Sequence, residues 1–102
     1  MITSVEERQV STTVPHDFTL SQNYPNPFNP TTSIDYTVEQ TRHVRLTVYN
    51  LLGQKVGTLA EGIRPAGNYT ITWDASTLAS GIYIYRLEAG ATVLTKKMTL
   101  LK

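Results

Sequence analysis

Apolar residues occur at every second position over several stretches of the chain after residue 33. Ile34, Tyr36 and Val38 alternate with polar residues, and the alternation returns in VRLTV (residues 44–48) and YTITW (residues 69–73). Successive side chains of a β-strand point to opposite faces, so a period of two predicts strands that bury one face. These stretches are therefore predicted to be strands at the surface of a core.

Turn signals separate the predicted strands. QTRH (residues 40–43) divides the first two, and NLLGQ (50–54), RPAGN (64–68) and EAGAT (88–92) each predict a hairpin. Short strands at this spacing, with almost no candidate for a long amphipathic helix, are typical of an antiparallel β-sandwich. The fold class predicted is all-β.

The stretch GIYIYRLEA, residues 81–89, begins apolar on both faces, since Ile82 and Ile84 oppose Tyr83 and Tyr85. This pattern suits a central strand covered on both sides, or a strand whose outer face meets a partner. LASGIY also resembles a tyrosine corner, in which a hydroxyl bonds back to the backbone a few residues upstream. Tyr83 is the candidate for that corner.

The last predicted strand, ATVLTKKMTLLK, conflicts with its own period. If Leu94, Met98 and Leu100 face the core, Lys96 also points inward, where an unpaired ammonium group is costly. Three solutions remain open. A bulge near Lys96 and Lys97 would change the phase, Lys96 could extend to solvent at the rim, or the charge could protect an edge strand from unwanted pairing.

The segment NYPNPFNP, residues 23–30, contains three of the chain's five prolines. Each proline fixes its own φ, lacks an N–H donor and favours an extended residue before it. We expect a rigid, extended and unpaired segment that crosses from one sheet to the other, with asparagine side chains turned onto nearby backbone. Phe28, with Tyr24 as a second candidate, is predicted to plug the open end of the sandwich.

Composition limits the classes of function. The 102 residues suffice for one domain, and 9 Lys and Arg balance 8 Asp and Glu, which disfavours nucleic-acid binding. Without cysteine there is no disulfide framework or thiolate metal site. No apolar run reaches the roughly 20 residues of a membrane span, and no signal peptide is recognised. The polar residues 1–17 are predicted to be a linker or flexible leader, and residues 18–102 the domain.

Catalytic chemistry has little support. His16 lies in the predicted leader and His43 in a turn, while most acidic residues fall on the solvent phase of strands. A calcium site built from loops such as WDAS, NYPN or PFNP remains open, although these loops lack a regular Asp spacing. We expect no enzyme and no cofactor.

Sugar binding is the alternative that the aromatic residues allow. Tyr24, Tyr49 and Tyr85 could stack on the apolar faces of sugars, as in accessory or cell-attachment modules of secreted enzymes. Trp73, the only tryptophan, has the strand phase of Tyr69 and Ile71 and is predicted to lie in the core.

Several separated motifs occur together in the chain: the NYPNPFNP block, LGQKV, AGNY, SGIYIYRL and the terminal KKMTLLK. In this order they resemble the C-terminal sorting domain (type A) of proteins exported by the type IX (Por) secretion system of Bacteroidetes-type bacteria. The resemblance covers residues 18–102. It implies an immunoglobulin-like sandwich of about seven strands at the end of a larger exported protein.

In that family the domain is a targeting signal with no active site of its own. The resemblance implies that the outer-membrane translocon recognises the domain, that a sortase-like protease cleaves it from its N-terminal passenger before Phe18, and that the passenger reaches the cell surface or the extracellular space. It implies no nucleic-acid partner, and we expect a monomer.

The resemblance also implies which residues the translocon reads. They come from four motifs: Pro25, Asn26, Pro27, Phe28, Asn29 and Pro30; Gly67 and Tyr69; Gly81 and Tyr83; and Lys96, Lys97, Met98, Leu100, Leu101 and Lys102.

Overall fold

Eight β-strands make up the regular structure of the described residues, 4–11 and 15–102, in a computed structural model of the chain. The strands are β1 (Ser4–Ser11), β2 (Thr19–Leu20), β3 (Thr31–Val38), β4 (Arg42–Asn50), β5 (Lys55–Arg64), β6 (Gly67–Asp74), β7 (Gly81–Ala89) and β8 (Thr92–Leu100). All strand pairs are antiparallel.

The strands form two four-stranded sheets. The first sheet has the order β1-β6-β3-β2, and the second sheet has the order β5-β4-β7-β8. The all-β antiparallel sandwich is therefore confirmed, with eight strands where about seven were expected. One of the eight, β2, is only two residues long.

Strand β1 corrects the predicted extent of the leader. Residues 4–11 pair with β6 along the edge of the first sheet and are not a free linker. The sequence SVEERQVS contains only two valines among its polar residues, so its period gave no strand signal. Its pairing depends on the edge that β6 presents, which is a property of the folded body. Residues 1–3 and 12–14 of the predicted leader lie outside the described residues.

The predicted alternation is confirmed in the core. Ile34, Tyr36 and Val38 are completely buried on β3, as are the inward residues of β4, and Trp73 is 1% exposed on β6. The inner faces of the two sheets supply one continuous core. Burying side chains of this size contributes about 1.5–3 kcal/mol each relative to exposure, which favours this single register.

Two of the three predicted hairpins form. NLLGQ joins the paired strands β4 and β5, and EAGAT joins β7 and β8, where Gly90 adopts the left-handed φ of +60°. The third prediction is wrong, because RPAGN leads from β5 in the second sheet to β6 in the first. Turn residues favour a reversal of the chain, but they do not determine whether the next strand pairs with the last one or crosses to the opposite sheet.

The conflict in the last strand is resolved by its position. The register between β7 and β8 is regular from Gly81↔Leu100 to Ala89↔Thr92, so the bulge near Lys96 and Lys97 does not exist. Strand β8 is the edge of the second sheet, and Lys96 is exposed at the margin of the sandwich although it keeps the inward phase of Met98. A charged edge of this kind disfavours pairing with other chains.

Strand β7 lies between β4 and β8, which confirms the predicted central position. Its inward tyrosines, Tyr83 and Tyr85, are 7% and 0% exposed. On the opposite face Ile84 is half-buried and Ile82 is 38% exposed.

Candidate functional site

The segment NYPNPFNP, residues 23–30, is called the proline segment below, and it connects the two sheets. On the first sheet, Tyr24 and Ser33 exchange two backbone hydrogen bonds of 2.9 Å. On the second sheet, the Phe28 N–H donates to the Thr99 carbonyl at 3.0 Å, and the Leu101 N–H donates to the Phe28 carbonyl at 2.9 Å. The predicted crossing is wrong in one respect: β2 and β3, on either side of the segment, both belong to the first sheet, so the chain bonds to the second sheet and returns without changing sheets. The prediction of an unpaired segment is also wrong, because the residues between the prolines keep their donors.

Phe28 closes the end of the sandwich, as predicted. Its side chain is 2% exposed, and its ring centroid lies 6.1 Å from that of Trp73 at an angle of 44°. Aromatic pairs in this range stabilise by about 0.5–1.5 kcal/mol beyond the area that they bury. Tyr24 does not join the plug, because it is 81% exposed.

The asparagines of the proline segment hold it in two ways. The buried Asn23 amide donates to the Pro25 carbonyl and to the Thr32 hydroxyl, both at 3.0 Å, which is the local turn that was predicted. The Asn26 side chain instead accepts a 3.0 Å hydrogen bond from the Thr99 N–H of β8. The segment is therefore fixed to its own backbone and to the C-terminal strand.

Tyr85 anchors the residues that lead into the proline segment. Its hydroxyl donates to the Ser21 carbonyl and accepts from the Asn23 N–H, each at 2.8 Å. The side chain is completely buried, and burial raises the pKa of Tyr85 to about 12, although the hydrogen bond from the Asn23 backbone lowers it. One further hydrogen bond, from the Gln22 amide to the Lys97 carbonyl at 2.7 Å, joins the same stretch to β8.

The residues after β8 contact the loop that precedes β7. The Lys102 N–H donates to the Ser80 hydroxyl at 2.9 Å, and the Lys102 ammonium group donates to the Ser76 carbonyl. The backbone of Leu101 is bonded to Phe28, as described above, while its side chain is 55% exposed. Residues 101 and 102, called the tail below, are thus held at both ends of their short length.

Two tyrosine corners stabilise the turns before β6 and β7. The Tyr83 hydroxyl donates to the Ala79 carbonyl at 2.7 Å, which confirms the predicted corner. The Tyr69 hydroxyl donates to the Pro65 carbonyl at 2.6 Å in the same way. The second corner was not predicted from the sequence, although both tyrosines share the Gly-x-Tyr spacing. Gly81 begins one of these units with φ +157°, a conformation that L side chains rarely adopt.

The predicted site residues divide into buried and accessible groups. Phe28, Gly67, Tyr69, Tyr83, Met98 and Leu100 are buried; Pro25, Asn26, Pro27, Asn29, Lys96, Lys97, Leu101 and Lys102 are exposed; Pro30 and Gly81 are intermediate. The buried members hold the fold in place, and only the accessible members can be touched by another protein.

The structure brings three of the four motifs together. The proline segment is bonded to the end of β8, and the Gly81 and Tyr83 motif pairs with that same end through Gly81↔Leu100 and Tyr83↔Met98. The fourth motif, Gly67 and Tyr69, is not part of this cluster. Tyr69 precedes Trp73, the neighbour of Phe28, by four residues along β6, which corresponds to about 13 Å.

The tyrosines that the sequence suggested for sugar binding do not lie on one face. Tyr85 is buried, and Tyr49 is covered by Arg86, whose Cζ lies 4.7 Å from the centroid of the Tyr49 ring. Of the three, only Tyr24 is broadly exposed, so these tyrosines form no common sugar-stacking face. Trp73 lies in the core, as predicted. Within residues 4–11 and 15–102 there is no cluster of three or more His, Asp or Glu side chains placed to hold a metal ion.

Two shallow concavities occur on the outer face of the second sheet. One, of about 350 Å³, is lined by His43, Arg45, Glu88 and Gly90, and the other, of about 270 Å³, includes Arg86. Neither includes a residue of the predicted site. The described residues also contain no helix long and apolar enough to cross a membrane.

Comparison with known families identifies the domain. A model of the secretion system C-terminal sorting domain matches residues 22–100, a range that begins at the entrance to the proline segment and ends with β8. Among curated proteins, no significant match was found. The matched range covers well over half of the chain and contains all of the contacts between the proline segment and β8. The chain therefore belongs to the secretion system C-terminal sorting domain family, and it is a sorting signal for type IX secretion that directs a larger passenger protein to the cell surface or the extracellular space.

Proposed function

We propose that the outer-membrane translocon of the type IX system recognises one continuous surface on this domain. This surface, the sorting edge, consists of the proline segment (residues 23–30), the end of β8 (residues 96–100) and the tail (residues 101–102). The observation that supports it is the hydrogen bonding between Asn26 or Phe28 and Thr99, which joins positions more than 70 residues apart.

The sorting edge suits recognition because it is ordered before binding. The prolines restrict their own φ angles, Tyr24 is hydrogen-bonded to β3, and Asn26 and Phe28 are hydrogen-bonded to Thr99 of β8. A surface that is already rigid loses less conformational entropy when a partner binds it. The accessible parts are the proline rings, the Asn26 and Asn29 side chains, and Leu101.

Charge adds a preference for the kind of partner. Lys96 and Lys97 are exposed at the end of the sorting edge, and none of the ion pairs within the described ranges involves them. Exposed charges of one sign contribute mainly to the rate of association and to specificity. The contacting face of the translocon is accordingly expected to be acidic.

The domain itself is proposed to be a substrate and not a catalyst. It acts as a monomer, requires neither calcium nor another cofactor, and is cleaved from its passenger by a sortase-like protease in the linker before Phe18. A recognition domain of this kind needs a surface that other proteins read, and it needs no paired acid and base.

The test is surface display of a reporter that carries a signal peptide and this chain, in a bacterium with the type IX apparatus. Leu101→Ser and Lys97→Gln change the sorting edge, while Leu52→Ser and Lys55→Gln are matched changes at exposed positions elsewhere. Display is expected to fall at least fivefold for the first pair and to remain at the wild-type level for the second. The proposal fails if both pairs are displayed equally, provided that circular dichroism shows all four variants folded.

A further inference from the structure

Strand β1 lies outside the range that the family model matches, yet it is part of the sandwich. The match begins at residue 22, whereas β1 comprises Ser4–Ser11. Its register with β6 is regular from Ser4↔Asp74 to Gln9↔Tyr69 and continues after a shift to Ser11↔Asn68, so it covers an edge that β6 would otherwise expose. The segment between the passenger and the matched domain is therefore partly docked on that domain.

One side chain of β1 makes a specific contact with two other strands. The Glu7 carboxylate accepts two hydrogen bonds from Arg64 on β5, at 2.7 Å from Nη2 and 3.0 Å from Nε. The Tyr36 hydroxyl on β3 donates to the same carboxylate. The Glu7 and Arg64 side chains are 17% and 22% exposed, so this bidentate ion pair is largely shielded from water.

The rest of β1 buries little. Val5 packs against the core, but Glu6, Arg8 and Val10 are exposed. An edge strand with one partly buried apolar side chain gains little from burial, and its backbone bonds with β6 replace bonds with water. Charge-assisted bidentate hydrogen bonds are stronger than hydrogen bonds between neutral groups. The contact of Glu7 with Arg64 and Tyr36 is therefore the main interaction that favours β1 paired with β6 over β1 released from it.

We propose that the edge of β6, with Arg64 and Tyr36 beside it, is an acceptor site for an extended acidic strand that Ser4–Ser11 occupies reversibly. Occupation of the site shields this segment from proteolysis, because a protease acts on chain that is locally released from the folded structure. Release of β1 then controls when the sortase-like protease can cut. This last step rests on the function proposed above, whereas the docking itself does not.

The docking is tested on the purified full chain by hydrogen exchange of residues 5–10 and by tryptic cleavage after Arg8, both followed by mass spectrometry. Arg64→Gln removes the partner of Glu7 without changing the sequence around Arg8. Arg45→Gln is the matched control, because Arg45 pairs with Glu61 at a site where both side chains are about half exposed. Exchange and cleavage are expected to be at least tenfold faster in Arg64→Gln, with the amides of β7 still protected.

Equal rates in Arg64→Gln and Arg45→Gln would overturn the proposal. If Arg64→Gln exposes the amides of β7 as well, the variant has destabilised the whole domain, and exchange is measured instead in Glu7→Gln. Glu6→Gln is its control, because Glu6 lies on the exposed face of the same strand. Faster exchange of residues 5–10 in Glu7→Gln alone supports the acceptor site, and equal exchange in the two overturns it.

The proposed control of cleavage by β1 is tested separately, by measuring how fast the domain is removed from its passenger. In the reporter strain, Arg64→Gln is expected to leave display intact and to accelerate removal of the domain at least threefold relative to Arg45→Gln. Unchanged processing with normal display refutes control by β1 and leaves the translocon proposal intact. Loss of display in the Leu101 and Lys97 variants tests only the translocon proposal.

Discussion

The Tyr85 hydroxyl holds the entrance to the proline segment through Ser21 and Asn23. Substitution by phenylalanine keeps the ring in its completely buried position and removes only the hydroxyl. The Ser21 carbonyl then loses a hydrogen bond but can turn to water, because Ser21 is exposed. The Asn23 N–H loses its acceptor in a residue that is 2% exposed.

The size of the effect follows from these two losses. A hydrogen bond whose partner can reach water is worth about 1 kcal/mol, and a buried donor left without a partner costs about 1–3 kcal/mol. Tyr85→Phe is therefore expected to lower the free energy of unfolding by about 2–4 kcal/mol. Domains of this size are stable by only about 5–15 kcal/mol, so the change is easily measured.

Urea denaturation followed by tryptophan fluorescence is the assay. With an m-value of about 1.5 kcal/mol/M, the expected loss lowers the midpoint by about 1.3–2.7 M. Tyr24→Phe is the control, because Tyr24 is 81% exposed and surface changes of this kind are usually within about 0.5 kcal/mol. A Tyr85→Phe midpoint within about 0.3 M of the wild-type value, at an unchanged m-value, would refute the role assigned to the hydroxyl.

Three further predictions concern the same framework. Burial raises the pKa of Tyr85 from 10.0 to about 12, so the neutral side chain contributes fully to the free energy of unfolding below pH 10. That contribution falls by about 3 kcal/mol as the pH rises toward 12, because the hydroxyl ionises first in the unfolded chain. Urea midpoints between pH 9 and 12 should therefore fall less steeply in Tyr85→Phe than in the wild type, and parallel curves would contradict this. Phe28→Ala should cost about 3–5 kcal/mol by the same assay and Tyr24→Ala less than about 0.5 kcal/mol, so similar midpoints would show that Phe28 does not close the core. Tyr69→Phe and Tyr83→Phe should each cost about 0.5–1.5 kcal/mol, and thermal unfolding unchanged in both would remove the tyrosine corners as stabilising features.

The proline segment also protects an edge. The C-terminal half of β8 and the tail would present free backbone groups at the margin of the second sheet. Asn26 and Phe28 bond to the backbone groups of Thr99, and Phe28 also bonds to that of Leu101. The prolines lack N–H donors, so the segment offers few groups with which another strand can continue the sheet. One feature thus caps the sandwich and shapes the surface proposed for the translocon.

The parts of the fold that the sequence predicted depend on neighbouring residues. Alternation in β3, β4 and β6 predicted which side chains are buried, because orientation along a strand changes with each residue. The Tyr83 corner was predictable for the same reason, since its acceptor, Ala79, lies four residues upstream. The motif resemblance covered the candidate site and did not indicate which of its residues are buried.

The errors share a physical cause. RPAGN was predicted to close a hairpin, but the strand that follows it crosses to the other sheet. The leader was predicted to be free, but residues 4–11 find an acceptor edge, and Glu7 finds Arg64 at a separation of 57 residues. Neither outcome can be predicted from neighbouring residues, because each depends on which strand edges and charged side chains are accessible in the folded domain.

The amino-acid sequence alone established a two-sheet body, its inward residues and the family to which its motifs point, because period and turn chemistry act over a few residues. The folded domain was needed to establish that the proline segment bonds to β8, that Tyr85 holds its entrance, and that β1 docks beside Arg64. These contacts join residues from 57 to 75 positions apart. They are selected by the burial and hydrogen bonding of the whole domain, which no short stretch of the chain specifies.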